Sequence, residues 1–305
     1  MPHLSTDTAP LRVVSQPRLW PRVLGTTVLS LGVLALFALT YWAFIKTVRG
    51  QWIDERALLG ARRFVQDTPA LRNELEWFTQ IPVAIGIAGL ALTIINVFVR
   101  RSVLVPAIAL GATGAGVVCV RILKELLLER PFTGVSEAYV NSFPSGHSAL
   151  AIGGMLAALL SMPPRARTWF SFVGALVAAI GGSVTLIMSW HRPADVVGSY
   201  LVVSFFALIA AGIIGWMDTG RRPTTFPAAL CTVAGFGLVA ISAAVMLLPE
   251  FVNAVQSRPL TATANDAAAA ASEWFTILAV GLITGTALAL FGVIERLAVP
   301  SRSSR

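Results

Sequence analysis

Long unbroken apolar stretches, separated by short polar or proline-containing junctions, dominate the chain. Eight can be drawn, roughly at 23–46, 81–99, 103–123, 147–162, 170–189, 194–217, 228–249 and 273–294. Each lies near or above the ~20 residues a helix needs to cross a bilayer. The shortest, 147–162, ends at Met162-Pro163-Pro164. The stretches run continuously where barrel strands would alternate, and only helices and closed barrels satisfy the backbone in lipid. The expected fold is therefore all-α, a polytopic transmembrane bundle of about eight spans. The first stretch is too long for a signal-peptide core and lacks a small-residue cleavage site, so it counts as a span.

Composition agrees with this pattern. Of 305 residues, 56% are hydrophobic and 12% charged, with mean hydropathy +0.76, which excludes an ordinary soluble enzyme. Charge then sets an orientation. With the amino terminus cytoplasmic, the inner segments sum to +9 and all remaining groups to −1. That asymmetry follows the positive-inside rule, puts both termini in the cytoplasm, and accounts for the pI of 10.7 without a nucleic-acid partner. Tryptophans 20, 42, 52, 77, 169, 190, 216 and 274 fall near span ends, as an interfacial belt requires. Cys119 and Cys231 lie inside spans and offer no disulfide framework. Gly111, Gly114 and Gly116 are expected to let helices pack closely, and Asn96 to make a packing hydrogen bond.

Residues 47–80 form the longest loop. Its mixture of Trp52, Ile53, Leu58, Leu59 and Phe64 with Asp54, Glu55, Arg56 and Arg62 predicts amphipathic helices lying on the outer surface. The run Ala267 to Ala271 is expected to begin the last helix.

Three ionisable clusters stand out against this apolar background. Lys124 and Arg130-Pro131 close the third span, Pro144-Ser145-Gly146-His147 opens the fourth, and Trp190-His191-Arg192-Pro193-Ala194-Asp195 joins the fifth to the sixth. Counting crossings puts all three on one side, and the charge rule makes that side extracytoplasmic. Charges at such depth are costly unless paired or hydrated, which marks them as functional candidates. A phosphate ester needs cations, a nucleophile and a proton donor for the leaving alcohol. Lys124 and Arg130 can supply the cations, with the guanidinium offering a two-pronged fork. The amides of Ser145 and Gly146 open a helix and can face an anion. His191 and Asp195 are four apart and share a helical face, so the carboxylate can fix one imidazole nitrogen and free the other. His147 is left as the acid for the departing oxygen.

Together these residues resemble the motifs of the type 2 phosphatidic acid phosphatase family. That family has Lys, six residues and Arg-Pro; then Pro-Ser-Gly-His; then Ser-Arg, five residues, His, three residues and Asp. Residues 144–147 match the second motif in full, and His191 with Asp195 match the end of the third. The resemblance spans roughly 120–200 and the general six-helix layout. It implies an integral membrane phosphatase, in a bacterial plasma membrane, that acts on a lipid phosphate or diphosphate without a metal or other cofactor. It also implies a phosphohistidine on His191, orientation of that ring by Asp195, and protonation of the leaving group by His147. Lys124, Arg130, Ser145 and Gly146 would hold phosphate. The implied domains are a cytoplasmic tail at 1–22, a catalytic membrane domain at 23–217, and an accessory helical hairpin with its tail at 218–305.

Two departures from the pattern bear on the chemistry. Five residues, not six, separate Lys124 from Arg130, with Leu123 where the family has its lysine. In the third motif Thr185 stands where the family has arginine, and Val184 where it has serine. Arg192 from the loop and Arg121 one turn below Lys124 are the candidate substitutes. The alternative reading is a catalytically impaired lipid-phosphate binder or scaffold; a phosphotransferase remains a further variant.

Overall fold

A computed structural model describes residues 19–70, 75–135, 140–217, 226–248 and 266–298. Among these residues there are nine α-helices and no strand: α1 (Leu19–Thr40), α2 (Val48–Gln66), α3 (Leu75–Arg100), α4 (Leu104–Ile122), α5 (Gly146–Ser161), α6 (Pro164–Ile187), α7 (Pro193–Met217), α8 (Phe226–Leu247) and α9 (Asp266–Ala298). The protein is a polytopic helical bundle. The amino-terminal tail at 1–18 and the polar segment 218–225 after α7 lie outside the described residues.

Among the described residues seven helices are long and apolar enough to cross a membrane; of the other two, α2 is too polar and α5 is apolar but only 16 residues long. At 1.5 Å per residue α5 is about 24 Å long, shorter than the ~30 Å hydrocarbon core. It needs no lipid-facing length because it is the centre of the bundle: Ala149, Ala151, Ile152, Leu156, Leu159 and Leu160 are fully buried. Helices α3, α4, α6 and α7 pack around it. Large apolar side chains such as Leu31, Ile87, Phe98, Ile180, Ile241 and Ile277 cover the outside. Only a hydrocarbon solvent tolerates so much exposed aliphatic surface, and the protein is an integral membrane protein.

One expectation fails instructively. The segment after the first span does form a helix, but α2 is not spread on a surface. Trp52, Ile53, Asp54, Glu55 and Arg56 are all buried. Trp52, expected in the interfacial belt, instead meets Phe275 edge-on with ring centroids 5.8 Å apart. Helix α2 lies against α9, so closely that a Cβ at Gly60 would stand 2.0 Å from the Ser272 carbonyl oxygen. Thr276 Oγ1 donates to the Ala57 carbonyl at 2.7 Å. A single sequence reads α2 as amphipathic because Gln51, Asp54 and Glu55 point at other buried polar groups, not at water.

At the end of the bundle away from the three clusters, Arg167 is fully buried. It donates to the carbonyls of Ala298, Leu160 and Met162, satisfying the open C-terminal ends of α5 and α9. Asn96 donates to Ser161 at 3.1 Å, the packing bond its position suggested. Of the three glycines on α4, only Gly116 packs closely, against the Val203 backbone of α7; Gly111 and Gly114 face open space.

Candidate active site

The three clusters meet at one end of the bundle, and local backbone rules explain how. Helix α4 ends in a π-helical turn, Leu123–Leu127, closed by Leu128 N–H donating to the Leu123 carbonyl at 2.8 Å. Such turns re-aim side chains and recur at functional sites. Here the turn carries Lys124, half-buried, within electrostatic reach of His147. Its ammonium has no carboxylate partner among the described residues. Asn141 donates to the carbonyls of Lys124, Leu128 and Phe143, tying the following loop to this turn.

Ser145 caps α5, its hydroxyl accepting from Ser148 N–H at 3.2 Å. Its own N–H donates to the Asp195 carbonyl at 2.9 Å. Ser145 is therefore occupied in structure, and neither its amide nor its hydroxyl is free for an anion. Gly146 differs: a Cβ there would meet nothing within 4 Å. Its amide and that of His147 belong to the first helical turn, which has no intrahelical acceptor.

Helix α6 ends in a two-bond reversal. Ser189 N–H donates to Leu186 and Trp190 N–H to Thr185, with Ser189 left-handed at φ 57°. The reversal delivers His191 to His147. Their ring centroids are 6.4 Å apart, and Trp190 packs 5.3 Å from the His147 ring. His147 is exposed at the mouth, whereas His191 is buried.

Asp195 is the hub of the site. Its Oδ2 lies 3.4 Å from His191 Nδ1 and accepts from Ser142 Oγ at 2.7 Å and Arg192 N–H at 3.0 Å. Its Oδ1 accepts from Arg130 Nη2 at 3.0 Å. Arg130 Nη2 also lies 3.9 Å from Asp54 Oδ2, while Nε and Nη1, both buried, have no partner among the described residues.

The two candidate substitutes are not brought to this point. Arg121 is exposed and paired with Glu125 at 3.1 Å. Arg192 is buried against Glu55, with Nη2 2.6 Å and Nε 2.7 Å from Oε2. Burial works against its charge, but Glu55, Asp195 and Asp54 more than offset this and raise its pKa above the ordinary arginine value. Thr185 is fully buried, donates to Gly182 at 2.7 Å and lies 3.2 Å from the Ser148 hydroxyl.

Several residues were invisible to sequence reasoning. Gln51 accepts from Thr133 at 2.6 Å and donates to the Pro131 carbonyl at 2.9 Å, holding the Arg130-Pro131 loop. Asp54 Oδ1 accepts from Ala194 N–H at 2.9 Å. Burial and the nearby charge of Asp195 push the Asp54 pKa up to about 7, against the pull of Arg130, the Ala194 N–H and Arg192. Their one sequence signal was a run of charges in a segment otherwise rich in core residues.

Among the described residues no three His, Cys, Asp or Glu side chains gather as a metal-binding set. Compared with known proteins, residues 77–219 match the model of the PAP2 superfamily. No curated protein and no solved structure matches the chain.

Proposed function

We propose that this member of the PAP2 superfamily, a family of phosphatases, hydrolyses a lipid phosphate or diphosphate at the extracytoplasmic face through a phosphohistidine. The observation that carries the reading is the pair of imidazoles, centroids 6.4 Å apart, with Asp195 behind one and unpartnered cationic donors beside them.

Asp195 beside Nδ1 keeps the proton of His191 on that nitrogen and leaves the Nε2 lone pair free. Attack forms the N–P bond as the bond from phosphorus to the leaving oxygen breaks, and His147 gives that oxygen its proton. Water then attacks phosphorus, the N–P bond breaks, inorganic phosphate leaves, and a proton returns to His147. Lys124, the free Arg130 donors and the Gly146 amide stabilise charge on the equatorial oxygens.

An apolar groove supports a lipid as the substrate. It has a volume of about 280 Å³ and is lined by Val83, Gly86 and Leu90 of α3, Leu110, Gly114 and Val117 of α4, and Leu150 and Gly154 of α5. Leu150 and Gly154 follow His147 at helical spacing, so the groove runs along the face of α5 that carries His147. A hydrocarbon chain can stay there while the headgroup meets water.

The test is release of inorganic phosphate from prenyl and glycerolipid phosphates in detergent with chelator present. Activity retained by His191→Ala would overturn the assigned nucleophile. Thr185 supports a second reading, because no guanidinium stands where the family motif has one. A protein that binds lipid phosphates without turnover would favour that impaired-binder role.

A further inference from the structure

We infer that Asp54 and Glu55, neighbours on α2, are positioning residues for His191, and that α9 sets them in place. Helix α7 begins after Arg192, whose carbonyl accepts from Asp195 and Val196 N–H. Arg192 is thus the capping position, yet an arginine side chain has no acceptor to offer the open amides of the first turn. The missing acceptor comes from another helix: Asp54 Oδ1 takes the Ala194 N–H, 140 residues away in sequence.

The same turn holds the nucleophile. Asp195, third in the helix, reaches back to the Arg192 N–H with the oxygen that also faces His191 Nδ1. Displacing the cap therefore displaces the acceptor that orients the imidazole. Glu55 secures the other side, pairing with the guanidinium of the residue next to His191. Both members of that pair are buried, a geometry that is expensive unless it is held tightly.

Helix α2 is itself clamped by α9 through Thr276, Ser272 and Phe275. Both helices lie outside the family segment 77–219. The C-terminal hairpin thereby acquires a role in the chemistry without touching phosphate.

The chain has three histidines, His3, His147 and His191, so its ring resonances can be assigned by substitution. Nitrogen-15 histidine NMR on the full-length protein in detergent is the primary measurement, and it needs no turnover. Glu55→Gln and Asp54→Ala are expected to shift the His191 ring signals and lower its Nδ1–H tautomer fraction, leaving His147 unmoved. Asp54→Asn, which keeps the acceptor for Ala194, is expected to preserve the His191 signals. Unchanged His191 signals in folded Glu55→Gln and Asp54→Ala would overturn the inference. If Glu55→Gln does not fold, Glu55→Asp and Asp54→Ala carry the test.

The kinetic arm rests on the phosphatase reading above. With dioctanoyl phosphatidic acid, Glu55→Gln should lower kcat by roughly tenfold to a hundredfold at constant KM, the cost of a misplaced nucleophile. A wild-type protein that releases no phosphate but gives the expected NMR shifts would sink the phosphatase reading and leave the positioning role standing.

Discussion

The hydroxyl of Thr185 lies 3.2 Å from that of Ser148, which in turn accepts from Ser145 Oγ at 2.9 Å. Three small hydroxyls run under the proposed phosphate site, where a family motif would carry an arginine. They are fully buried, so they brace the start of α5 against the end of α6 and do not contact substrate. Thr185→Val should cost about 1 kcal/mol of stability, the net value of a lost hydrogen bond. Turnover should fall by less than tenfold. An arginine in direct contact with phosphate would cost about 10²–10³ on removal, so a hundredfold loss in a folded Thr185→Val protein would assign the threonine a direct role.

The buried carboxyl of Asp54 predicts a pH dependence with a definite sign. Its folded pKa, about 7, stands above the ordinary value of 3.8, so the folded state binds the proton more tightly than the unfolded chain. Its contribution to stability is then full below pH 4, declines through pH 4–7, and is flat above. The integrated change is on the order of a few kcal/mol. Thermal unfolding in detergent should show Asp54→Asn gaining on the wild type as pH rises from 5 to 7.5. A difference independent of pH would remove Asp54 as the titrating group.

Gly114 offers a test of the groove. A Cβ there meets nothing within 4 Å, so a larger side chain enters open space without a clash. Gly114→Leu should leave thermal stability close to wild type and narrow the groove. The ratio of turnover on a long-chain to a dioctanoyl lipid phosphate should fall about tenfold or more, since each excluded methylene forfeits up to about 0.8 kcal/mol of burial. A constant ratio would move the chain site elsewhere.

Ser189 holds φ 57° in the reversal that delivers His191. A residue with a Cβ is strained there by roughly 1–2 kcal/mol, and glycine is not. Ser189→Gly should raise stability by up to about 1 kcal/mol after its larger loss of chain entropy. Ser189→Val should lower it. Denaturation midpoints for the pair decide the matter.

Much of this architecture was legible from residue order, and the reasons differ by element. The seven long helices announce themselves because lipid demands continuous apolar runs. The meeting of His147, His191 and Asp195 follows from counting crossings. Helix α2 reads as a surface helix because burial of Asp54 and Glu55 depends on partners over a hundred residues away, and hydropathy is blind to partners. Arg192 was offered to phosphate for the same reason, since nothing near it in sequence reveals Glu55. The grip of Asn141, Ser142 and Gln51 on the loops was equally hidden. Asn141 and Ser142 act through single side chains in a loop without periodicity, and Gln51 through one side chain that reaches from α2 to Pro131 and Thr133 of that loop.

The capping of α7 by Asp54 also sets when the proposed site is complete during synthesis. Helix α9, which clamps α2, begins about 70 residues after Asp195 and ends at Ala298. At the usual ~5–20 residues per second of synthesis, His191 enters the membrane several seconds before its scaffold is complete. On the roles proposed above, a nascent chain carries the His191 imidazole through insertion without its full set of positioning contacts until α9 has been made.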